Sequence, residues 1–152
     1  MNIRDFRPFT QVSALTLGGG GIGQVWGETT KEEAIQTVYT ALDYGINHFD
    51  VAPMYGRGEA ERVVGESLHG KNTDDLFFTT KCQLGTLPDS EVYDKLNTSL
   101  TESLDNLGLE KVNLFLLHSQ LIEDNFKLFK FDELRQKSTT TLSCFFNSAI
   151  PA

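Results

Sequence analysis

Four polar residues, Asp50, Tyr55, Lys81 and His118, have the types and the placement that proton chemistry would need. A free tyrosine hydroxyl titrates near pH ~10, too high to exchange its proton readily at neutral pH. A lysine ammonium beside a phenol favours the phenolate. An aspartate can pair with that ammonium and hold it in place, and a histidine can hydrogen-bond a substrate oxygen and orient it. Together the four make a proton donor for an oxygen that is gaining charge. Each alone has a duller reading: a strand-end aspartate is commonly a turn former or helix cap, and an isolated histidine commonly packs or sits in solvent. Catalysis is indicated by all four falling on one face.

That face follows from the elements between them. Residues 13–17 alternate polar and apolar and run into Gly18, Gly19, Gly20 and Gly21, a strand followed by a flexible loop. Thr30 caps a helix over 31–44, with Glu33 as its capping-box partner. Ala34, Ile35, Val38, Ala41 and Leu42 recur at helical spacing, and Gly45 stops the helix. Residues 46–49 form a short strand ending at Asp50. A helix over 59–68 puts Ala60, Val63, Val64 and Leu68 on one side and is closed by Gly70. Residues 76–80 read as a β-branched and aromatic strand ending at Lys81. Ser90 caps a longer helix whose buried row is Val92, Leu96, Leu100, Leu104 and Leu107, and Gly108 ends it. Residues 112–117 are an almost unbroken apolar run, suited to a strand covered on both faces, and His118 follows.

The order is βαβαβαβ. Strands separated by helices need crossovers, so the sheet is parallel and the helices cover its outer side. In such folds functional groups gather where strands end and βα loops begin. Asp50, Lys81 and His118 each occupy that position, and Tyr55 lies in the loop after the second strand.

The run Gly45-Ile46-Asn47-His48-Phe49-Asp50-Val51-Ala52-Pro53-Met54-Tyr55-Gly56, followed by Gly58-Glu59-Ala60-Glu61 and Val64-Gly65, closely resembles the aldo-keto reductases. Val12-Ser13-Ala14-Leu15 to Gly18 is similar to their first strand, and 76–81 and 112–118 to their third and fourth. The resemblance spans most of residues 10–120. It implies a (β/α)8 barrel of the TIM type and an oxidoreductase that reduces aldehyde or ketone carbonyls to alcohols, or the reverse. The implied cofactor is NADPH, with NADH possible, and its nicotinamide carries the hydride. Tyr55 is then the general acid, Lys81 and Asp50 tune it, and His118 positions the carbonyl. Gly19, Gly20, Gly21 and Asp50 are expected beside the cofactor, and Trp26, Met54 and His118 beside the substrate.

A closed barrel of this kind needs roughly 250 residues, and this chain has 152. The expectation is one domain over 1–152, a barrel truncated to about four βα units. The units run over about 10–118, a long βα loop over 119–138 and an incomplete helix over 139–152. By resemblance, most contacts to the adenosine and 2′-phosphate fall in the half beyond these units. Little activity is therefore expected of the chain alone, and self-association through the open barrel edge is expected. The alternative is a non-catalytic truncated half-barrel, either a partner-binding module or a remnant.

The remaining features exclude more than they assign. A net charge of −8 disfavours nucleic acid and anionic membrane surfaces. No stretch approaches the ~18 apolar residues that span a bilayer, and the start has no apolar run of the signal-peptide kind, so a cytoplasmic setting is expected. Cys82 and Cys144 form neither a disulfide framework nor a metal pair, and Cys82 is expected as a buried free thiol. His48 is expected in packing and His69 in solvent, neither with a metal partner at useful spacing. Gly18 to Gly23 formally fits the dinucleotide fingerprint, but that motif requires a helix to begin inside it. Here Gln24 to Thr30 intervene before any helix signal.

Overall fold

The computed structural model describes residues 1–6 and 10–118. The expected loop over 119–138 and helix over 139–152 lie outside the described residues. Two strands, β1 (Ile3–Phe6) and β2 (Thr10–Ser13), form an antiparallel pair. Then come β3 (Leu17–Gly18), the one-turn α1 (Gly19–Ile22), α2 (Lys31–Asp43), β4 (His48–Asp50), α3 (Glu59–Leu68), β5 (Phe77–Cys82), α4 (Asp89–Leu107) and β6 (Leu114–Leu117). Strands β3, β4, β5 and β6 lie side by side in that order, and every pairing is parallel.

The two faces of this sheet differ. Phe49, Phe78, Cys82 and Phe115 point outward into one core with Ala34 and Val38 of α2, Val63 and Val64 of α3, and Leu96 and Leu107 of α4. Because side chains alternate along a strand, His48 and Asp50, then Phe77, Thr79 and Lys81, then Leu114, Leu116 and His118 share the inner face. The lower part of that face is plugged by the β1–β2 pair, whose Phe6 and Val12 pack with Phe77, Leu114 and Leu116. Asn47 locks the plug to the sheet: its Oδ1 accepts from Ser13 N at 2.7 Å, and its Nδ2 donates to Gln11 O at 3.3 Å and Asp75 O at 3.1 Å.

The helix signals act as their chemistry dictates. Thr30 and Glu33 make the reciprocal capping box of α2, and Gly45, Gly70 and Gly108 take the positive φ that ends each helical segment. Three local expectations are corrected. Residues 13–17 are not one strand: Ser13 ends β2, its hydroxyl turns back to Leu15 O at 2.6 Å, and only Leu17 and Gly18 enter the parallel sheet. The glycine run is not a loop but the helical turn α1. Helix α4 starts at Asp89 after Pro88, so Ser90 lies inside the first turn instead of capping it.

Candidate active site

Asp50 is the last residue of β4, Lys81 the penultimate residue of β5, and His118 follows β6. The ladder continues past the strand ends and keeps them level: Val51 N donates to Thr79 O at 2.9 Å, and His118 N to Cys82 O at 2.8 Å. Tyr55 sits in the β4–α3 loop, anchored by its own N to Ala52 O at 3.0 Å and by Ala60 N to its carbonyl at 3.2 Å.

Lys81 is buried, at 8% exposure. A buried ammonium is costly unless each N–H finds an acceptor. All three do: Nζ pairs with Asp50 Oδ1 and donates to Val51 O at 3.0 Å and to the Tyr55 hydroxyl oxygen at 3.3 Å. Because the phenol oxygen accepts from lysine, its own proton remains to be given elsewhere. The ammonium also lies 4.8 Å from the centre of the Tyr55 ring. The His118 ring meets that ring edge-on, at 5.6 Å and 88°. Burial, then the Lys81 charge, holds His118 below the ordinary histidine value, which favours a neutral imidazole. Its Nδ1 is buried with no hydrogen-bond partner among the described residues. The four expected residues are therefore brought together.

The glycines of this run also serve the packing around the cluster. A Cβ at Gly19 would come within 3.0 Å of Tyr55 Cδ2 and Val51 Cγ1, one at Gly20 within 2.8 Å of the Trp26 ring, and one at Gly23 within 2.8 Å of the Tyr55 carbonyl. Gly19 and Gly23 thus make room for Tyr55, and Gly20 for Trp26. Where a Cβ of Gly21 or Gly18 would stand, no atom of the described residues lies within 4 Å. Trp26 and Met54 are exposed, at 81% and 53%, on the loops around the cluster.

Residue types alone gave no hint of one contributor. Val51 serves through its carbonyl, which any residue possesses. His48 packs as expected, its ring edge-on to Phe77 at 4.9 Å and 81°, on the inner face two residues before Asp50. Its ring bridges Thr16 Oγ1 and Thr79 Oγ1, each at 2.9 Å. Burial holds it below the ordinary value, against the pull of the Asp50 charge. Cys82 is buried as expected, and burial pushes its thiol up, so it is a poor nucleophile. Among the described residues no group of acidic, histidine and cysteine side chains could hold a metal ion. Nor is any helix there long and apolar enough to cross a membrane.

The family model described as the aldo/keto reductase family matches residues 14–121. L-galactose dehydrogenase of Arabidopsis thaliana is 31% identical over 110 residues, which cover 71% of this chain and 34% of that protein. The solved thermostable aldo-keto reductase Tm1743, in complex with the inhibitor epalrestat, superposes with a TM-score of 0.73 at 26% identity. It covers 95% of this chain and 53% of its own. An aldo-keto reductase from Klebsiella pneumoniae, solved in complex with NADPH, shares the fold with a TM-score of 0.72 at 20% identity. It covers 95% of this chain and 50% of its own. These neighbours are (β/α)8 barrels. The chain spans about a third of the length of the curated relatives it matches and about half of the solved barrels.

Proposed function

This chain belongs to the aldo/keto reductase family, and we propose that its Asp50–Tyr55–Lys81–His118 cluster is the acid–base half of an NAD(P)H-dependent carbonyl reductase. The observation that carries the reading is how Lys81 spends its donors. With Asp50, the Val51 carbonyl and the Tyr55 oxygen as its three partners, the ammonium faces the phenol and leaves the phenolic proton unshared among the described residues.

The residues present fit a nicotinamide cofactor. His118 carries a buried nitrogen without a partner among the described residues. Gly18 and Gly21 leave open space among the described residues, and the cluster supplies the proton that hydride addition to a carbonyl requires. When bound, the nicotinamide supplies the hydride. Gly19, Gly20, Gly21 and Asp50 are the residues that would lie beside it. The chain's own groups do the rest. His118, neutral, donates a hydrogen bond to the carbonyl oxygen and fixes its direction. Tyr55 transfers its proton to that oxygen as negative charge develops there, and the Lys81 ammonium stabilises the phenolate left behind. Asp50 keeps the ammonium from turning away. Trp26 and Met54, exposed at the rim, would meet the substrate. NADPH is the favoured form and NADH the alternative, the substrate is a small aldehyde or ketone, and the setting is cytoplasmic.

The domain is read as four βα units over about 10–118 of a barrel that needs eight. Strands β3 and β6 are sheet edges among the described residues. Beside β3 runs an apolar groove of about 600 Å³, lined by Met1, Leu15, Leu17, Thr37, Tyr44 and Ile46. Exposed edges with apolar flanks invite association with another chain. We therefore read the 152-residue chain alone as weakly active and prone to self-association. A half-barrel that serves as a partner-binding module is the second reading, and the same edges and groove favour it.

The test is NAD(P)H consumption with a generic aldehyde, measured for the chain alone and for the chain joined to four further βα units. Turnover that appears on closing the barrel supports the reductase reading. A closed barrel that binds NADPH and turns over no carbonyl would leave the binding module.

A further inference from the structure

On the outer side of the sheet, behind the cluster, lies a buried polar group that the proposed chemistry does not use. Glu61, in the first turn of α3, is fully buried. Its Oε1 accepts from the Thr80 hydroxyl at 2.6 Å, and its Oε2 accepts from Asn106 Nδ2 at 3.1 Å. Thr80 and Ser103 are also fully buried, with their hydroxyl oxygens 3.4 Å apart. Helices α3 and α4 approach so closely here that a Cβ at Gly65 would stand 2.4 Å from Asn106 O.

The two ends of the Glu61–Thr80 bond belong to the two segments that carry the chemistry. Thr80 immediately precedes Lys81 on β5, and by strand alternation their side chains leave opposite faces. Glu61 follows Ala60, whose N holds the Tyr55 carbonyl, and the loop is further pinned by Gly58 N to Pro53 O at 2.7 Å. One bond on the outer face thus ties the loop of Tyr55 to the strand of Lys81. On the inner face the same two segments meet as the 3.3 Å contact from Nζ to the phenol oxygen. We infer that Glu61 is a positioning residue: through Thr80 Oγ1, with Asn106 orienting its carboxylate, it sets the spacing between Lys81 and Tyr55. A short bond to a buried hydroxyl suits this task because a buried acceptor left without its donor is costly, so the register of α3 against β5 has little freedom. The value of that spacing to catalysis rests on the reductase reading. The spacing itself does not.

The experiment needs no turnover, so a chain that reduces nothing still decides it. The 152-residue chain is labelled with ¹³C at tyrosine Cζ, whose resonance senses a charge at the phenol oxygen. The Tyr55 signal is the one lost in Tyr55→Phe, and Lys81→Met gives its position without the ammonium. In Thr80→Val the signal should move more than half of the way to the Lys81→Met position, while Thr80→Ser, which restores the hydroxyl, should return it close to the parent. Circular dichroism checks that each variant is folded. Should Thr80→Val not fold, Glu61→Met decides, since it removes both acceptor oxygens and should move the signal in the same direction. A Tyr55 signal unmoved in a folded Thr80→Val or Glu61→Met chain would overturn the inference. So would a shift in Thr80→Ser as large as in Thr80→Val, which would make the effect one of packing alone.

Discussion

The Lys81 ammonium stands 3.3 Å from the Tyr55 hydroxyl oxygen, one residue carried by a strand and the other by the loop from its neighbour. Asp50 completes the arrangement from the end of β4. The pair is asymmetric in burial, the Lys81 side chain being 10% exposed and that of Asp50 33%.

That asymmetry predicts unequal mutants. Asp50→Asn leaves a buried ammonium without its counter-charge and should cost about 1–3 kcal/mol of folding stability. Lys81→Met removes the charge from the dry side, fills the same space, and leaves a carboxylate that water can reach, so it should cost less. Denaturant titration of the two variants checks the order. Lys81→Met costing clearly more would mean that the ammonium is held for the fold and not for the phenol.

Alanine at two glycines of one run should act in opposite directions. Gly23→Ala drives a methyl to within 2.8 Å of the Tyr55 carbonyl, and overpacking against backbone should destabilise by roughly 1–3 kcal/mol. Gly21→Ala meets nothing within 4 Å among the described residues and lies in α1, so it should be neutral or stabilise by about 0.4–1 kcal/mol. Equal denaturant midpoints for the two would contradict the packing role of Gly23.

Acid should weaken the fold well before the carboxylates titrate. His48 and His118 are both held below the ordinary value of 6.5, chiefly by burial. The unfolded chain therefore binds more protons than the folded one in the window from about 6.5 down to the depressed folded values, and stability falls as pH falls through it. The contribution is complete above about pH 6.5 and is lost below the folded values. Unfolding midpoints should drop between pH ~7 and ~5.5, and His48→Gln should drop less. A His48→Gln chain with the parent's slope would show that this ring does not drive the effect.

Much of this was legible in the sequence for physical reasons that can be named. Helices α2, α3 and α4 announce themselves by apolar spacing and, for α2, by Thr30 and Glu33. The parallel sheet follows from strands separated by helices, and the cluster from polar residues that each follow an apolar strand. The plug was not legible, because Ile3–Phe6 and Thr10–Ser13 are short and pair with each other far from any chemistry. Nor was the role of Gly19 and Gly23. A glycine records only that something needs its space, and whether that is a ligand or the Tyr55 ring depends on contacts across more than thirty residues. The role of Glu61 was not legible either, since its partners Thr80 and Asn106 are distant in the chain.

The measurement that bears most directly on the central claim is the Tyr55→Phe variant in a barrel closed by four further βα units. NADPH binding is followed by fluorescence, and aldehyde reduction by NADPH consumption. The substitution removes the hydroxyl and barely changes the ring, so the nucleotide should bind nearly as before. Turnover should fall by about 10²–10⁴-fold, the usual contribution of a general acid. Turnover in Tyr55→Phe equal to that of the parent, with binding unchanged, would contradict the assignment of Tyr55 as the proton donor.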